Sequence, residues 1–405
     1  MHPLIELEDR YCAHNYHPLP VVLVRGEGPF VWDDQGKRYV DMMSAYSAVS
    51  HGHAHPRIVD ALVSQARTLN IVSRAFHTDR LAAFLERVCT LTGQDMALPM
   101  NTGAEAVETA LKAARKWAWQ VKGVADGAAE IIACEGNFHG RTIAVCGLST
   151  EPQYREGFGP FPPGLLTVPY GDVAALEAAI TPNTAAFLVE PIQGENGIVI
   201  PPDGYLARCA EICRRHNVML IADEIQTGLG RTGRLLACEH DGVKPDGLVL
   251  GKALGGGVLP VSMFLARREL MGVFRPGDHG STFGGNPLAA TVGLEALQVL
   301  EDEDLVAQSA AKGAWLLGEL KKIDSPLIRE VRGRGLFIGI EIDPARARAR
   351  TVVERLMTRG LLSKETHATV VRLAPPLAIP QALLEWSLGQ IREALAETDA
   401  LAQAS

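Results

Sequence analysis

The sequence predicts an α/β protein: a large, mostly parallel sheet domain with helices on both faces, plus a smaller α+β lobe. Three observations carry this. The middle of the chain alternates short apolar runs (EIIAC, AAFLVEP, VMLIADE, GLVLGK and PVSMFLA) with helical patterns. Such alternation builds parallel strands covered on both faces. At 405 residues the chain exceeds what one core usually holds, so two lobes are expected. After residue 288 the pattern changes to long helices and then to LFIGIEI, a helix, TVVRLAPPL and a final helix, which reads as α+β.

Taken in order, the chain opens on an irregular segment. FVWDDQGKRYVDM follows as two short strands about a turn at Asp34-Gln35-Gly36. Apolar spacing then predicts helices over 57–69 and 79–92, the alternating core, a helix near 204–216, helices from GGNPLAA to about 322, and a last helix from about 380. The expected division is an N-terminal segment at 1–44, a large domain at 45–287, and a C-terminal domain at 288–405 that builds the small lobe with the N-terminal segment.

Composition narrows the function. Hydrophobic residues make up 47% and charged residues 21%, as in ordinary soluble proteins. The balance of 39 basic to 47 acidic residues, a formal charge of −8, argues against a nucleic-acid surface. Seven cysteines without C-x-x-C pairs suit a reducing, cytoplasmic setting, and Cys209 and Cys213 at i, i+4 read as core packing. No apolar run is long enough to span a membrane, and the opening lacks a signal peptide's apolar stretch. His51, His53 and His55 alternate in HGHAHP, but no cysteine or carboxylate stands close in sequence to complete a metal site, so no metal is expected.

One stretch resists a bland reading. LVLGKALGGG ends an apolar strand on Lys252 with glycines on both sides. A nucleotide loop would read G-x-x-x-x-G-K-[ST]. Here only three residues separate Gly247 from Gly251, and Ala253 replaces the hydroxyl, which opposes an ATP-binding module. Lys252 either ends a buried strand with its head in solvent or presents a reactive amine. Asp223, ending the strand VMLIAD, either caps a turn or holds a protonated ring nitrogen in the crevice at the strand ends. Asn101, Thr102 and Gly103 lead into a long helix, as a plain cap or as an anion seat. An amine, a ring-nitrogen partner and a phosphate seat together are what pyridoxal 5′-phosphate (PLP) requires.

Nearly the whole chain resembles the fold-type I, class III PLP-dependent aminotransferases. The resemblance runs through YSAVSHGHAHP, NTGAEAVETA, GNFHGRT, VEPIQGE, IADEIQTGLGRTGR, LGKALGGG, GSTFGGNPL and VVRLAPPL, with HNYHPLP and YSAV pointing to the ornithine branch. It implies that Lys252 is the Schiff-base lysine and proton shuttle, and that Asp223 pairs with the pyridine nitrogen. Gln226 is expected on the ring's phenolic oxygen, Ile225 and Phe138 on its faces, and the amides of Gly103 and Ala104 on the phosphate. Thr282 is expected to reach across the interface of a homodimer.

For substrates, the resemblance implies transfer of the terminal amino group of L-ornithine to 2-oxoglutarate, giving glutamate and a semialdehyde that cyclises to pyrroline-5-carboxylate. Arg141 is expected on the distal carboxylate, Tyr16 at ornithine's α-amino end, and Tyr46 and Ser281 in the pocket. Glu195 and Arg372 are expected to pair and to part according to which donor is bound. The chain departs from the animal members at His139 and Leu259, where they carry aromatic residues. An acetylornithine or other ω-amino-acid aminotransferase is the nearest alternative, followed by a PLP aminomutase of similar fold.

Overall fold

The computed structural model describes residues 2–404. Its strands, in chain order, are β1 (Leu23–Glu27), β2 (Phe30–Asp33), β3 (Arg38–Asp41), β4 (Met96–Met100), β5 (Glu130–Cys134), β6 (Leu165–Val168), β7 (Thr184–Val189) and β8 (Met219–Asp223). They continue with β9 (Gly247–Leu250), β10 (Ser262–Ala266), β11 (Ile328–Arg334), β12 (Phe337–Ile342), β13 (Leu361–Leu362), β14 (Lys364–Thr366) and β15 (Val370–Leu373).

The central sheet has the order β4-β10-β9-β8-β7-β5-β6. β9, β8, β7, β5 and β6 run parallel, while β10 is antiparallel to both β9 and β4. Every residue of β7, β8, β9 and β10 is buried. These strands are continuously apolar because helices cover both faces, leaving no wet side to alternate toward. Their carboxyl ends deliver Glu190, Asp223 and Lys252 to one crevice.

Two four-stranded sheets flank this one, β1-β2-β3-β13 and β11-β12-β15-β14. β13 pairs in parallel with β3, Leu361 opposite Val40, so the N-terminal ribbon is hydrogen-bonded to the C-terminal region. The opening segment, expected to be irregular, contains a helix at Pro3–Tyr11 in which no residue is buried. Without a core-facing stripe its sequence gives little helical signal. β1, β4, β6, β11, β13 and β14 are also not expected from the sequence. They are short, or lie at sheet edges, or are too polar to stand out. The long helical stretch after residue 287 breaks at Asp304, which adopts φ +50° between helices Pro287–Asp302 and Leu305–Leu320.

Two local features position the site. Ser44, Ala45, Tyr46 and Ser47 all have positive φ (46°, 44°, 59° and 77°), a left-handed turn without glycine. Asp41 braces its start by accepting from the N–H groups of Met43 and Ser44 at 2.8 and 2.9 Å. The second feature is Arg231, whose accessibility is 0%. It donates to the carbonyls of Leu336 and Pro375 at 2.9 and 2.6 Å and to Ser50 Oγ at 2.9 Å. Burial pulls its pKa down to about 9, against the opposing charge of Asp41. Arg231→Met would leave those carbonyls buried without donors, at about 1–3 kcal/mol each. The apoprotein should melt several degrees lower; an unchanged Tm would mean that water replaces the guanidinium.

Candidate active site

A cavity of about 210 Å³ lies at the carboxyl ends of the parallel strands, lined by Gly103, Ala104, Phe138, His139, Gly140, Glu190, Asp223, Ile225, Gln226, Thr227 and Lys252. Lys252 follows β9 with φ +43°, a strained conformation for a side-chain-bearing residue. Desolvation lowers its pKa, while the carboxylates of Glu195 and Asp223 work in the opposite direction. Its amine is therefore easier to deprotonate than a surface lysine's.

Asp223 answers both readings of its strand end. One oxygen accepts from Ile225 N–H at 3.1 Å, as a turn cap does. The other lies 2.7 Å from His139 Nδ1, and the carboxylate still borders the cavity. An acceptor there requires the His139 proton on Nδ1. Burial works against an imidazolium, but the hydrogen bond and charge of Asp223 outweigh it and raise the His139 pKa. His139 Nε2 is buried with no hydrogen-bond partner.

The cradle is built from both possibilities at Thr102. Its hydroxyl accepts from Glu105 N–H at 3.3 Å, and Glu105 accepts in return from the N–H groups of Thr102 and Asn101 at 2.8 and 3.0 Å. This capping box uses side chains. The amides of Gly103 and Ala104, in the first turn of the helix Gly103–Trp117, have no acceptor within the helix and border the cavity. A Cβ on Gly103 would meet Ile225 Cδ1 at 2.9 Å, so glycine permits the close approach of the two walls. A Cβ on Gly194 would fall 1.6 Å from Gln226 Oε1, so Gln226 takes its place only because residue 194 has no side chain.

Glu195 and Arg372 meet at 2.8 Å, with side-chain exposures of 21% and 4%. Burial alone would raise the Glu195 pKa, but Arg372, Lys252 and Gln226 together lower it. The Arg372 guanidinium lies 4.8 Å from the centre of the Tyr46 ring. Gln226 donates to the Tyr46 carbonyl at 3.3 Å, tying the left-handed turn to the cavity wall. Arg141 stacks on Tyr154 at 3.7 Å and lies 5.4 Å from the Phe138 ring. That stacking uses its faces and leaves the edge of its planar fork for a carboxylate.

Like Glu195, Arg372, Tyr46 and Arg141, the remaining expected residues are not part of the cavity lining. Tyr16 is 75% exposed, yet near enough to Tyr46 for its charge to bear on that phenol. Thr282 and Phe283 are exposed and do not border the chain's own cavity. Ser281 instead accepts from Asn101 Nδ2 at 2.8 Å. Leu259 packs against the main core, away from the cavity lining. The three histidines each have a structural partner: His51 the Ala296 carbonyl at 2.9 Å, His53 Asp41 at 2.7 Å, and His55 Glu303 at 2.9 Å.

Three residues went unread. His139 was seen only as a departure from an aromatic, with nothing in the sequence placing it behind Asp223. Tyr154 lies in a single helical turn, Pro152–Arg155, too short to show a pattern, and Glu190 stands unremarked inside AAFLVEP. Glu190 accepts from Phe138 N–H at 2.8 Å and from Gly194 N–H at 3.3 Å. Its position directly after β7 was the available signal, by the same rule that picked out Asp223.

Desolvation raises the Glu190 pKa from 4.5 to about 7. Such a carboxyl binds its proton more tightly folded than unfolded. Its stabilising contribution is full below about pH 4.5 and is lost as pH rises through about 7. Glu190→Gln cannot ionise. The variant apoprotein's Tm should therefore gain on the wild type's as pH rises across that window, and a difference independent of pH would refute the shift.

A buried amine, a braced carboxylate and unpaired first-turn amides at one cavity fit PLP. The sequence profile of the family described as Aminotransferase class-III matches residues 11–395. An ornithine aminotransferase from Bacillus subtilis (strain 168) is 59% identical over 392 residues, covering 97% of each chain. The solved ornithine aminotransferase of Toxoplasma gondii, described with PLP at partial occupancy in its active site, superposes with a TM-score of 0.98 at 45% identity, over 99% of this chain and 95% of that one. An acetylornithine aminotransferase from Elizabethkingia anophelis gives 0.88 at 48% identity, over 97% and 98%. The chain belongs to the class-III aminotransferases and is a PLP-dependent enzyme.

Proposed function

We propose that this enzyme moves the terminal amino group of L-ornithine to 2-oxoglutarate, forming glutamate and glutamate semialdehyde, which closes to pyrroline-5-carboxylate. The observation that carries the reading is the pair of buried Arg372 and half-buried Glu195 beside Lys252. Ornithine offers a bare terminal amine, and an unpaired arginine beside it would be a desolvated charge without a partner. Glu195 neutralises Arg372 in that half-reaction. Glutamate brings a carboxylate to the same place, and Arg372 then leaves Glu195 to bind it. The names of the relatives support the same donor.

Each residue has a distinct task. When bound, PLP supplies a carbonyl to capture the amine and an electron sink for the carbon that loses its proton. Lys252, eased toward its neutral form, would take that proton on its Nζ and hold it for return. Asp223, oriented by His139, keeps a proton on the ring nitrogen. Gly103 and Ala104 give their amides to the phosphate, with Thr282 added by a second copy. Phe138 and Ile225 confine the ring, and Gln226 bonds its phenolic oxygen. Arg141 takes the distal carboxylate, Tyr16 the α-amino end of ornithine, and Tyr46 and Ser281 complete the pocket.

A homodimer is favoured by what a single chain leaves uncovered. Leu4, Leu7 and Tyr11 lie exposed along the first helix, and Phe283 is exposed beside Thr282. Among the described residues no helix is long and apolar enough to cross a membrane. Together with unpaired cysteines, this supports a cytoplasmic enzyme. Acetylornithine is the second candidate donor, favoured by the Elizabethkingia structure. A donor panel with 2-oxoglutarate, scored by trapping the semialdehyde, separates the two. Turnover of acetylornithine well above ornithine would reverse the assignment.

The switch predicts unequal damage. Arg372→Ala should slow the glutamate half-reaction by about 10- to 150-fold, the worth of a lost charged hydrogen bond, with a smaller effect on ornithine. Glu195→Ala should slow the ornithine half while leaving the glutamate half equal or faster. Stopped-flow spectra of each half-reaction read both, and equal losses in both halves for Glu195→Ala would leave a purely structural ion pair.

A further inference from the structure

We infer that Arg350 is a positioning residue for donor selectivity: it holds the segment bearing Tyr16 at the mouth of the site. The inference rests on the reading of Tyr16 given above and extends it to a residue far along the chain. Tyr16 lies in a stretch without helix or strand, and its ring is largely exposed. Something must fix that stretch if one phenol is to meet one end of a substrate.

Between Asn15 and Pro20, the hydrogen bonds that reach another part of the described chain both come from Arg350. Its guanidinium donates to the carbonyls of His17 and Pro18 at 3.2 Å each. Leu19 adds an apolar anchor, packed against the main core. Arg350 is itself held from behind. Its Nε donates to Glu354 at 2.8 Å, and Glu365 lies 3.4 Å from Nη1. Lys364 meets the same Glu365 oxygen at 2.7 Å. With a side-chain exposure of 17%, the guanidinium is largely withdrawn from water. A planar fork can serve two carbonyls and two carboxylates together, which a lysine's single nitrogen cannot.

The same short strand reaches the other recognition element. Glu365 belongs to β14, whose Lys364 stands opposite Arg372 of β15. Ser363 donates to the Arg372 carbonyl and Thr366 to the Glu195 carbonyl, both at 2.5 Å. Residues 363–366 therefore brace the Glu195–Arg372 pair through hydroxyls and, through Glu365 and Arg350, the backbone beside Tyr16. The two ends of the donor site share one support. Arg350 bonds the backbone only at His17 and Pro18, while Ser363 and Thr366 hold Arg372 and Glu195 without it, so its effect on donors passes through Tyr16.

The test uses the holoenzyme with Arg350→Ala, Tyr16→Phe, the double variant, and Glu365→Gln as a milder disturbance of the same node. Arg350→Ala should weaken apparent ornithine binding by about ten-fold or more in the ornithine half-reaction, the scale of lost charge-assisted hydrogen bonds. The glutamate half-reaction and the cofactor's absorbance should stay within about two-fold of wild type on the same grounds, since neither uses Tyr16. In the Tyr16→Phe background, Arg350→Ala should add little. Glu365→Gln should shift ornithine in the same direction by less. Equal losses for both donors, or a full additive loss in the double variant, would make Arg350 a stabilising residue only and overturn the inference. A damaged Tyr16→Phe enzyme beside an unaffected Arg350→Ala enzyme refutes Arg350 alone. A Tyr16→Phe enzyme that binds ornithine as before refutes the reading of Tyr16 itself.

Discussion

A guanidinium enclosed by protein needs acceptors, and the Nη1 and Nη2 groups of Arg231 find them in three separate parts of the chain, while Nε has none. It follows β8 by eight residues, close after the turn that carries Asp223 and Gln226, and its partners come from the segment after Tyr46 and from the C-terminal region. Buried carbonyls are costly to leave unpaired, so each of these segments is fixed relative to the others by one side chain. The Pro375 carbonyl stands three residues beyond Arg372, and Ser50 lies four beyond Tyr46. Arg372 and Tyr46, the proposed recognition residues, are thus referenced to the same point as Asp223 and Gln226.

Around that frame the enzyme separates three carboxyl groups by environment. Asp223 lies against a histidine ring nitrogen and accepts from a backbone amide. Glu195 has an arginine, which keeps it ionised despite burial. Glu190 has backbone amides but no cation in contact, and desolvation drives it toward the protonated form. Carboxyl groups in three different settings therefore stand within a short span, without a metal ligand set among the described residues.

Much of this was legible in the sequence. The buried strands announced themselves as continuous apolar runs, and the residues directly after them are where an open sheet places its chemistry. The strand-end rule points to Asp223, the glycine-flanked apolar run to Lys252 and the cap before a long helix to Gly103, and the three border one cavity. What stayed hidden depends on distance along the chain. His139 meets Asp223 across 84 positions, and Arg350 meets His17 across 333. No local spacing encodes such pairs. The helix at Pro3–Tyr11 escaped because it turns no face to this chain's core, and β13 because two residues carry too little pattern. Ser281 and Thr282 are adjacent in sequence yet differ in setting, one bonded to Asn101 and one exposed.

The left-handed turn at Ser44–Ser47 sets two selective pressures against each other. Side-chain-bearing residues in that conformation cost roughly 1–2 kcal/mol each relative to the right-handed form. Glycine at 44, 45 or 47 would relieve part of that cost in the folded state. It would also enlarge the unfolded ensemble and slacken the backbone that presents Tyr46 to Arg372. A lineage optimised only for heat resistance could accept the first effect and loosen the Tyr46–Arg372 contact through the second. The retained serines and alanine therefore keep the aromatic ring on a stiff mount, where the tolerance for drift is smallest.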